Sequence, residues 1–178
     1  MSHPFKNLLL LLVFAMLAAC STVSVEDYAD NKPRLDVRQF FNGSLDAHGI
    51  VKNRSGKVIR YFSAKIEASW KDGVGTLDEH FIFDDGEEQI RIWKLKPDES
   101  GVYHGTADDV IGVAQLKAAG NSLFLEYILR VPYGDGTIDV NIDDRMYLLN
   151  DRVLLNESIL TKWGFEVGQL TLVIEKSN

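Results

Sequence analysis

The sequence predicts an all-β chain folded as one antiparallel up-and-down barrel of about nine or ten strands. Three observations carry that expectation. Turn signals recur at near-regular spacing from Asn53 to Asp151, each built from Gly, Asn or Asp. The runs between them alternate apolar and polar residues with a period of two. No stretch shows the 3.6-residue periodicity of a long amphipathic helix. A flat β-sandwich is the second reading of the same pattern.

The chain opens with one cation, Lys6, then an apolar run from Leu8 to Ala19, then the sole cysteine, Cys20. A charged start, a short apolar core and small residues before the cleavage point are the layout of a secretory signal. The run falls short of the roughly 20 residues a spanning helix needs. Leu17-Ala18-Ala19-Cys20 resembles the lipobox of bacterial lipoproteins, in which the cysteine thiol takes a diacylglycerol. Residues 1–19 are therefore expected to be removed as a signal peptide, and Cys20 to tie the chain to a membrane through lipid. Ser21 stands where aspartate would argue for inner-membrane retention, so the expected location is the periplasmic face of the outer membrane. Residues 20–33 read as the lipidated end and a polar tether, and residues 34–178 as a single barrel domain. The net charge of −7 at pH 7 excludes a nucleic-acid partner on electrostatic grounds. With Cys20 acylated, no thiol is left for disulfides, thiol catalysis or metal ligation.

After Pro33 the strands begin. From Val58 to Trp70 one face carries Val58, Arg60, Phe62, Ala64, Ile66, Ala68 and Trp70, and the other carries Ile59, Tyr61, Ser63, Lys65, Glu67 and Ser69. The first is expected to face the core. Turns are expected at 53–56, 71–73, 84–86, 97–101, 120–121, 134–136 and 150–151. If Asp84-Asp85-Gly86 is a three-residue loop with Gly86 left-handed, the hairpin around it is registered from sequence. Phe83 then faces Glu87, Phe81 faces Gln89, Glu79 faces Arg91 and Leu77 faces Trp93. Gly43, Gly49, Gly105 and Gly112 read as bulges or sharp bends. Leu123, Leu125, Tyr127, Leu129 and Val131 form a further apolar face. Ile138, Val140, Ile142, Met146 and Leu148 form another, on which Asp144 also falls. A strand near 165–175 closes the chain.

Arg60, Glu79, Arg91 and Asp144 are charges on faces that are otherwise apolar. Two readings follow. In one, Glu79–Arg91 is a buried structural pair that holds the register, with Arg60–Asp144 as a second such pair. In the other, the barrel encloses a cavity lined by Leu77, Phe81, Trp93, Tyr103, Leu125 and Tyr127, and Arg60 or Arg91 orients a polar head group. Catalytic signatures are not found. His48, His80 and His104 lack metal-type spacing and fall on outward or turn-adjacent positions. Asp108-Asp109 and Asp143-Asp144 are doublets whose members point to opposite faces of a strand. Neither a nucleophile elbow nor a phosphate loop is present, so no catalytic residue, metal or cofactor is expected.

Several motifs lie close enough together to be specific: Phe41-x-Gly43, Leu77-x-Glu79-x-Phe81-x-Phe83-Asp84-Asp85-Gly86, Arg91-x-Trp93, Tyr103-x-Gly105, Asp109-Val110-x-Gly112-x-Ala114, Gly120-Asn121 and Asn156-x-Ser158-x-x-x-Lys162-x-Gly164. Together they resemble the DUF3833 family of bacterial lipoproteins, over nearly the whole chain after Cys20. Asp143-Asp144-Arg145 and Lys162-Trp163-Gly164 depart modestly from that pattern. The resemblance implies a lipocalin-like, calycin-type barrel on a lipid anchor, and turns the ligand toward acyl chains, as in a fatty acid or phospholipid. It supplies no catalytic residues. The expected function is a non-enzymatic lipoprotein that binds a lipid or other hydrophobic small molecule inside the barrel. The alternatives are a packed scaffold that docks an envelope protein through its acidic outer surface and, more weakly, an esterase or isomerase acting on lipid.

Overall fold

The computed structural model describes residues 22–177; the expected signal peptide, residues 1–19, and Cys20 lie outside the described residues. Ten strands follow in order: β1 Gly43–Asn53, β2 Val58–Lys71, β3 Val74–Phe83, β4 Glu88–Pro97, β5 Tyr103–Thr106, β6 Val110–Ala119, β7 Ser122–Tyr133, β8 Gly136–Asn150, β9 Val153–Lys162 and β10 Phe165–Lys176. Sequence neighbours pair antiparallel, and β1 also pairs with β10, so the sheet closes on itself. The chain is an up-and-down barrel, and the sandwich reading falls.

Tight connections follow from residues that tolerate positive φ. The β2–β3 turn places Asp72 at φ 52 and Gly73 at φ 80, the conformation a two-residue hairpin needs. Gly86 sits at φ 83, and β3 meets β4 in the register read from sequence: Leu77 opposite Trp93, Glu79 opposite Arg91, Phe81 opposite Gln89. The turn between β9 and β10 has Trp163 at φ 51 and Gly164 at φ 80. It was not among the expected turns because a bulky aromatic is a poor signal for the left-handed region.

Alternation sorts the faces as expected on β2, where Phe62, Ala64, Ile66 and Ala68 are buried and Ile59, Tyr61, Lys65 and Glu67 are exposed. Gly112 lies in the register break between Ile111 and Gln115, a true bulge. Gly49 does not bulge. It pairs in regular register with Phe62 and Leu172, and a Cβ there would stand 2.3 Å from Phe62 Cζ. The aromatic ring lies across its backbone, which is why the site has no side chain.

One end of the barrel is plugged. Asp36 accepts hydrogen bonds from the backbone N–H groups of Arg38 and Gln39, starting the short helix α1, Val37–Phe40. Val37, Phe40 and Phe41 are buried against the strand ends. Trp70 Nε1 donates to the Phe41 carbonyl at 2.7 Å, and Lys176 Nζ donates to that of Gln39 at 2.9 Å. Around the opposite end, the hairpin turns expose Tyr133, Trp163 and Phe165.

Part of the stretch read as a polar tether is docked. A 3₁₀ turn, Val25–Tyr28, buries Val25, and the Tyr28 ring packs 5.6 Å from Phe124 and 5.4 Å from Tyr147 on the outer wall. Leu35 N–H donates to the Gly120 carbonyl at 2.8 Å. One valine and one tyrosine anchor this turn, too few to leave a periodic signature.

β5 is the short member of the wall. It pairs with β4 only from Lys94 to Pro97 and with β6 only at Ala114, Gln115 and Leu116. The first half of β4, from Glu88 to Trp93, therefore has no strand partner on that side among the described residues. The link 107–109 crosses this gap, and the site forms beside it.

Candidate functional site

The inward faces of the strands leave a cavity of ≈ 110 Å³ inside the barrel, with Phe41 of the plug at its floor. β3 contributes Leu77, Glu79 and Phe81; β4 contributes Arg91 and Trp93. Leu125 and Tyr127 enter from β7, and Asp144 from β8. Period-two alternation on each strand is what brings them together. Two candidates do not line it. Tyr103 packs on Trp70, ring centroids 5.9 Å apart, towards the plugged end. Arg60 lies near the opposite end, its guanidinium 3.7 Å over the Phe83 ring, and NH2 bonds Asp85 at 2.9 Å and Glu87 at 3.0 Å.

Of the two sequence-derived ion pairs, Glu79–Arg91 forms as a loose contact and Arg60–Asp144 does not form. Glu79 and Arg91 do face each other, but Glu79 Oε2 is 3.9 Å from Arg91 NH1, beyond hydrogen-bond reach. The main partner of Arg91 is Asp109: Nε donates to its two oxygens at 3.0 and 2.9 Å, and NH2 lies 2.7 Å from Oδ2. Asp109 sits in the link that crosses the gap beside β5, so a side-chain bridge replaces the missing ladder bonds between β4 and that link. The Arg60–Asp144 pair fails for a topological reason. β2 and β8 stand on different walls of the closed barrel, and each residue has nearer partners. Asp144 Oδ1 accepts from Ser158 Oγ at 2.9 Å and from Asn156 Nδ2.

Electrostatics separate the carboxyls from the guanidinium. Burial pushes Glu79 up to about 7, against the opposing pull of Arg91; Asp109, Asp144 and Asp78 push the same way as burial. Burial also pushes Asp144 up to about 6, although the Asn156 and Ser158 hydrogen bonds oppose it. The Tyr127 phenol is pushed well above its ordinary value, chiefly by burial and by Asp144. Burial works against the Arg91 charge, but the Asp109 hydrogen bond and Glu79 outweigh it and hold the guanidinium ionised.

Sequence reasoning missed Asp109, Asn156 and Ser158. Asn156 and Ser158 fall on the inner face of β9, with Ser158 paired directly across from Asp144. Both had appeared in one spaced motif, which was the available signal. Read as one of two strand neighbours in the Asp108-Asp109 doublet, Asp109 instead precedes β6. Outside the cavity, His80 pairs with Asp78 at 3.1 Å and His104 with Asp98 at 2.9 Å, all partly exposed. Among the described residues, no group of three or more His, Cys, Asp or Glu side chains gathers where a metal ion could be held.

A closed antiparallel meander, plugged at one end and carrying polar groups inside an apolar cavity, has the form of a lipocalin-like barrel. A solved structure shows a similar architecture. The S-type phycobiliprotein lyase CPES from Guillardia theta superposes with a TM-score of 0.58 and 15% identity, over 82% of this chain and 96% of that one. A structure titled EF1p2_mFAP2b bound to DFHBI aligns over 78% of this chain and 95% of that one, with 8% identity and a TM-score of 0.45. At 15% identity the likeness to the lyase is one of fold alone. No curated protein matches the chain. The family model described as "Protein of unknown function (DUF3833)" matches residues 14–176, and the chain belongs to that family.

Proposed function

We propose that this is a non-enzymatic binding protein whose barrel holds a small hydrophobic molecule, or the apolar end of a lipid, and that lipid on Cys20 fixes it to the periplasmic face of the outer membrane. The observation that supports the binding reading is the mostly apolar cavity in the middle of a closed barrel, with a few polar groups on its wall. Its size limits the guest. An apolar cavity of about 150 Å³ takes up benzene, so ≈ 110 Å³ suits one small ring or a short acyl stretch. A whole phospholipid would enter only by its tail. The anchor rests on Leu17-Ala18-Ala19-Cys20.

Native mass spectrometry with lipid extraction tests the binding reading on the full chain carrying Cys20→Ser, so that its own acyl groups cannot be mistaken for a ligand. A stoichiometric co-purifying lipid or small molecule is expected. A bare protein mass that persists after incubation with total envelope lipid and with benzyl alcohol overturns the reading. Feeding cells an alkyne-tagged fatty acid tests the anchor: label should attach to the wild type and vanish with Cys20→Ser. Equal labelling of the two, or none, rules the anchor out.

A further inference from the structure

We infer that the polar end of the cavity's ligand is a cation, a protonated amine on a small apolar body, and not a carboxylate or phosphate head. The inference rests on the binding reading above and names the chemistry of the guest. Three carboxyls, Glu79, Asp109 and Asp144, stand in or beside the cavity against a single guanidinium, Arg91. That guanidinium is bound along one edge, and its charge is balanced there. Asp109 occupies its Nε and NH2 edge, and Glu79 stands off its NH1 at 3.9 Å. An entering anion would meet a cation whose charge Asp109 already balances, and two further carboxyls in a desolvated space, where like charge is costly.

The acceptors are what remain unmet. Glu79 lines the cavity with only 13% of its side chain exposed, and its nearest partner is that ion contact beyond hydrogen-bond reach. Asp144 uses Oδ1 for both Asn156 and Ser158, which leaves Oδ2 for a guest. Around them stand the rings of Phe62, Phe81, Trp93 and Tyr127. Trp93 and Tyr127 meet edge to face at 5.4 Å, and Phe62 and Phe81 at 5.8 Å. Aromatic faces beside carboxylates are the chemistry that holds ammonium groups. Arg91 already uses one such face, 5.5 Å over Phe81.

A pH dependence follows. Glu79 is faced by Arg91 of β4, by Asp109 of the link 107–109 and by Asp144 of β8, with Asp78 beside it on β3; Asp144 is faced by Arg91, Tyr127 and Glu79, with Asp143 next to it. Near neutrality both interior carboxyls hold part of their protons. An ammonium group drives those protons off, so its binding strengthens as pH rises from about 5 to 8. An anionic head would show the reverse.

Three probes with one ring and different charge make the test: benzylamine, benzyl alcohol and benzoate, titrated calorimetrically into the full chain carrying Cys20→Ser. At pH 8 benzylamine should bind about tenfold tighter than benzyl alcohol, with benzoate weakest, and the amine advantage should shrink to about threefold or less at pH 5. In Glu79→Gln, and more fully in Glu79→Gln with Asp144→Asn, the amine-to-alcohol ratio should fall towards one; the single variant serves if the double does not fold. Benzoate equal to or tighter than benzylamine, or a ratio near one in the wild type, overturns the cation while the cavity stands. Binding of none of the three removes both the cavity reading and this inference.

Discussion

Arg91 answers to two carboxylates at unequal distance, and the inequality is measurable. Asp109 engages it bidentately at 2.7 to 3.0 Å, while Glu79 waits at 3.9 Å. Two-pronged guanidinium–carboxylate contact is the strong form of the pair. A double-mutant cycle on urea unfolding should therefore give a larger coupling for Arg91→Met with Asp109→Asn than for Arg91→Met with Glu79→Gln. Arg91→Met alone should cost about 2–4 kcal/mol, because it strands enclosed carboxylates. Equal couplings would contradict this assignment. Glu79 makes a second residue-scale prediction. Its folded pKa of about 7 lies above the ordinary 4.5, so the native state holds the proton more tightly than the unfolded chain. That contribution to stability is complete below pH 4.5 and is lost as pH rises through about 7. Glu79→Gln should remove on the order of 1–3 kcal/mol of the wild-type decline between pH 5 and 8. A wild-type-minus-variant difference that stays constant across that window would refute it. At this scale the sequence was legible in part. Alternation placed Glu79, Arg91 and Asp144 inward, but which carboxylate an arginine grips depends on a link eighteen residues further along the chain.

Among the elements, β5 decides most. Its four residues leave half of β4 without a strand on the side away from β3, and the Arg91–Asp109 bridge stands where ladder hydrogen bonds would have been. Glycines at close approaches make the element-scale predictions. Gly49→Ala drives a Cβ to 2.3 Å from Phe62 Cζ and 2.7 Å from Leu172 Cβ, so β1 must part from β2 or β10. The expected loss is about 1–3 kcal/mol, read by thermal unfolding; an unchanged melting temperature would show that Phe62 yields freely. Gly120→Ala meets both a φ of 55 and a Cβ 1.7 Å from the Tyr28 carbonyl oxygen. It should lift the Val25–Tyr28 turn off the wall and speed limited proteolysis within 22–32 while the barrel core stays resistant. Cleavage at the wild-type rate would mean that Val25 and Tyr28 hold the turn without that contact. The β3–β4 hairpin was readable because Asp84-Asp85-Gly86 pins the register locally. The docked turn was not, since two apolar residues against a distant wall leave no local pattern.

For the whole molecule, closure is the governing fact. β1 pairs with β10 from Leu45–Lys176 to Asn53–Gly168, so no sheet edge remains along that seam and the inward faces enclose one space. Ala47 lines that space from β1. Ala47→Leu should fill much of it, abolish uptake of benzyl alcohol and shift stability by about 1 kcal/mol or less. Retained uptake with a folded barrel would mean that the guest lies elsewhere. By itself, the sequence determined the all-β meander, which residues face inward, the β3–β4 register and the family motifs. Those properties are local: a strand's alternation and a turn's φ angles are set within a few residues. Only the tertiary structure decided that β1 closes on β10, that Arg91 belongs to Asp109, and that Arg60 and Asp144 stand on separate walls. Whether the interior is cavity or packed core was likewise decided there, because it turns on how far apart opposite walls stand once the ring of ten strands is complete.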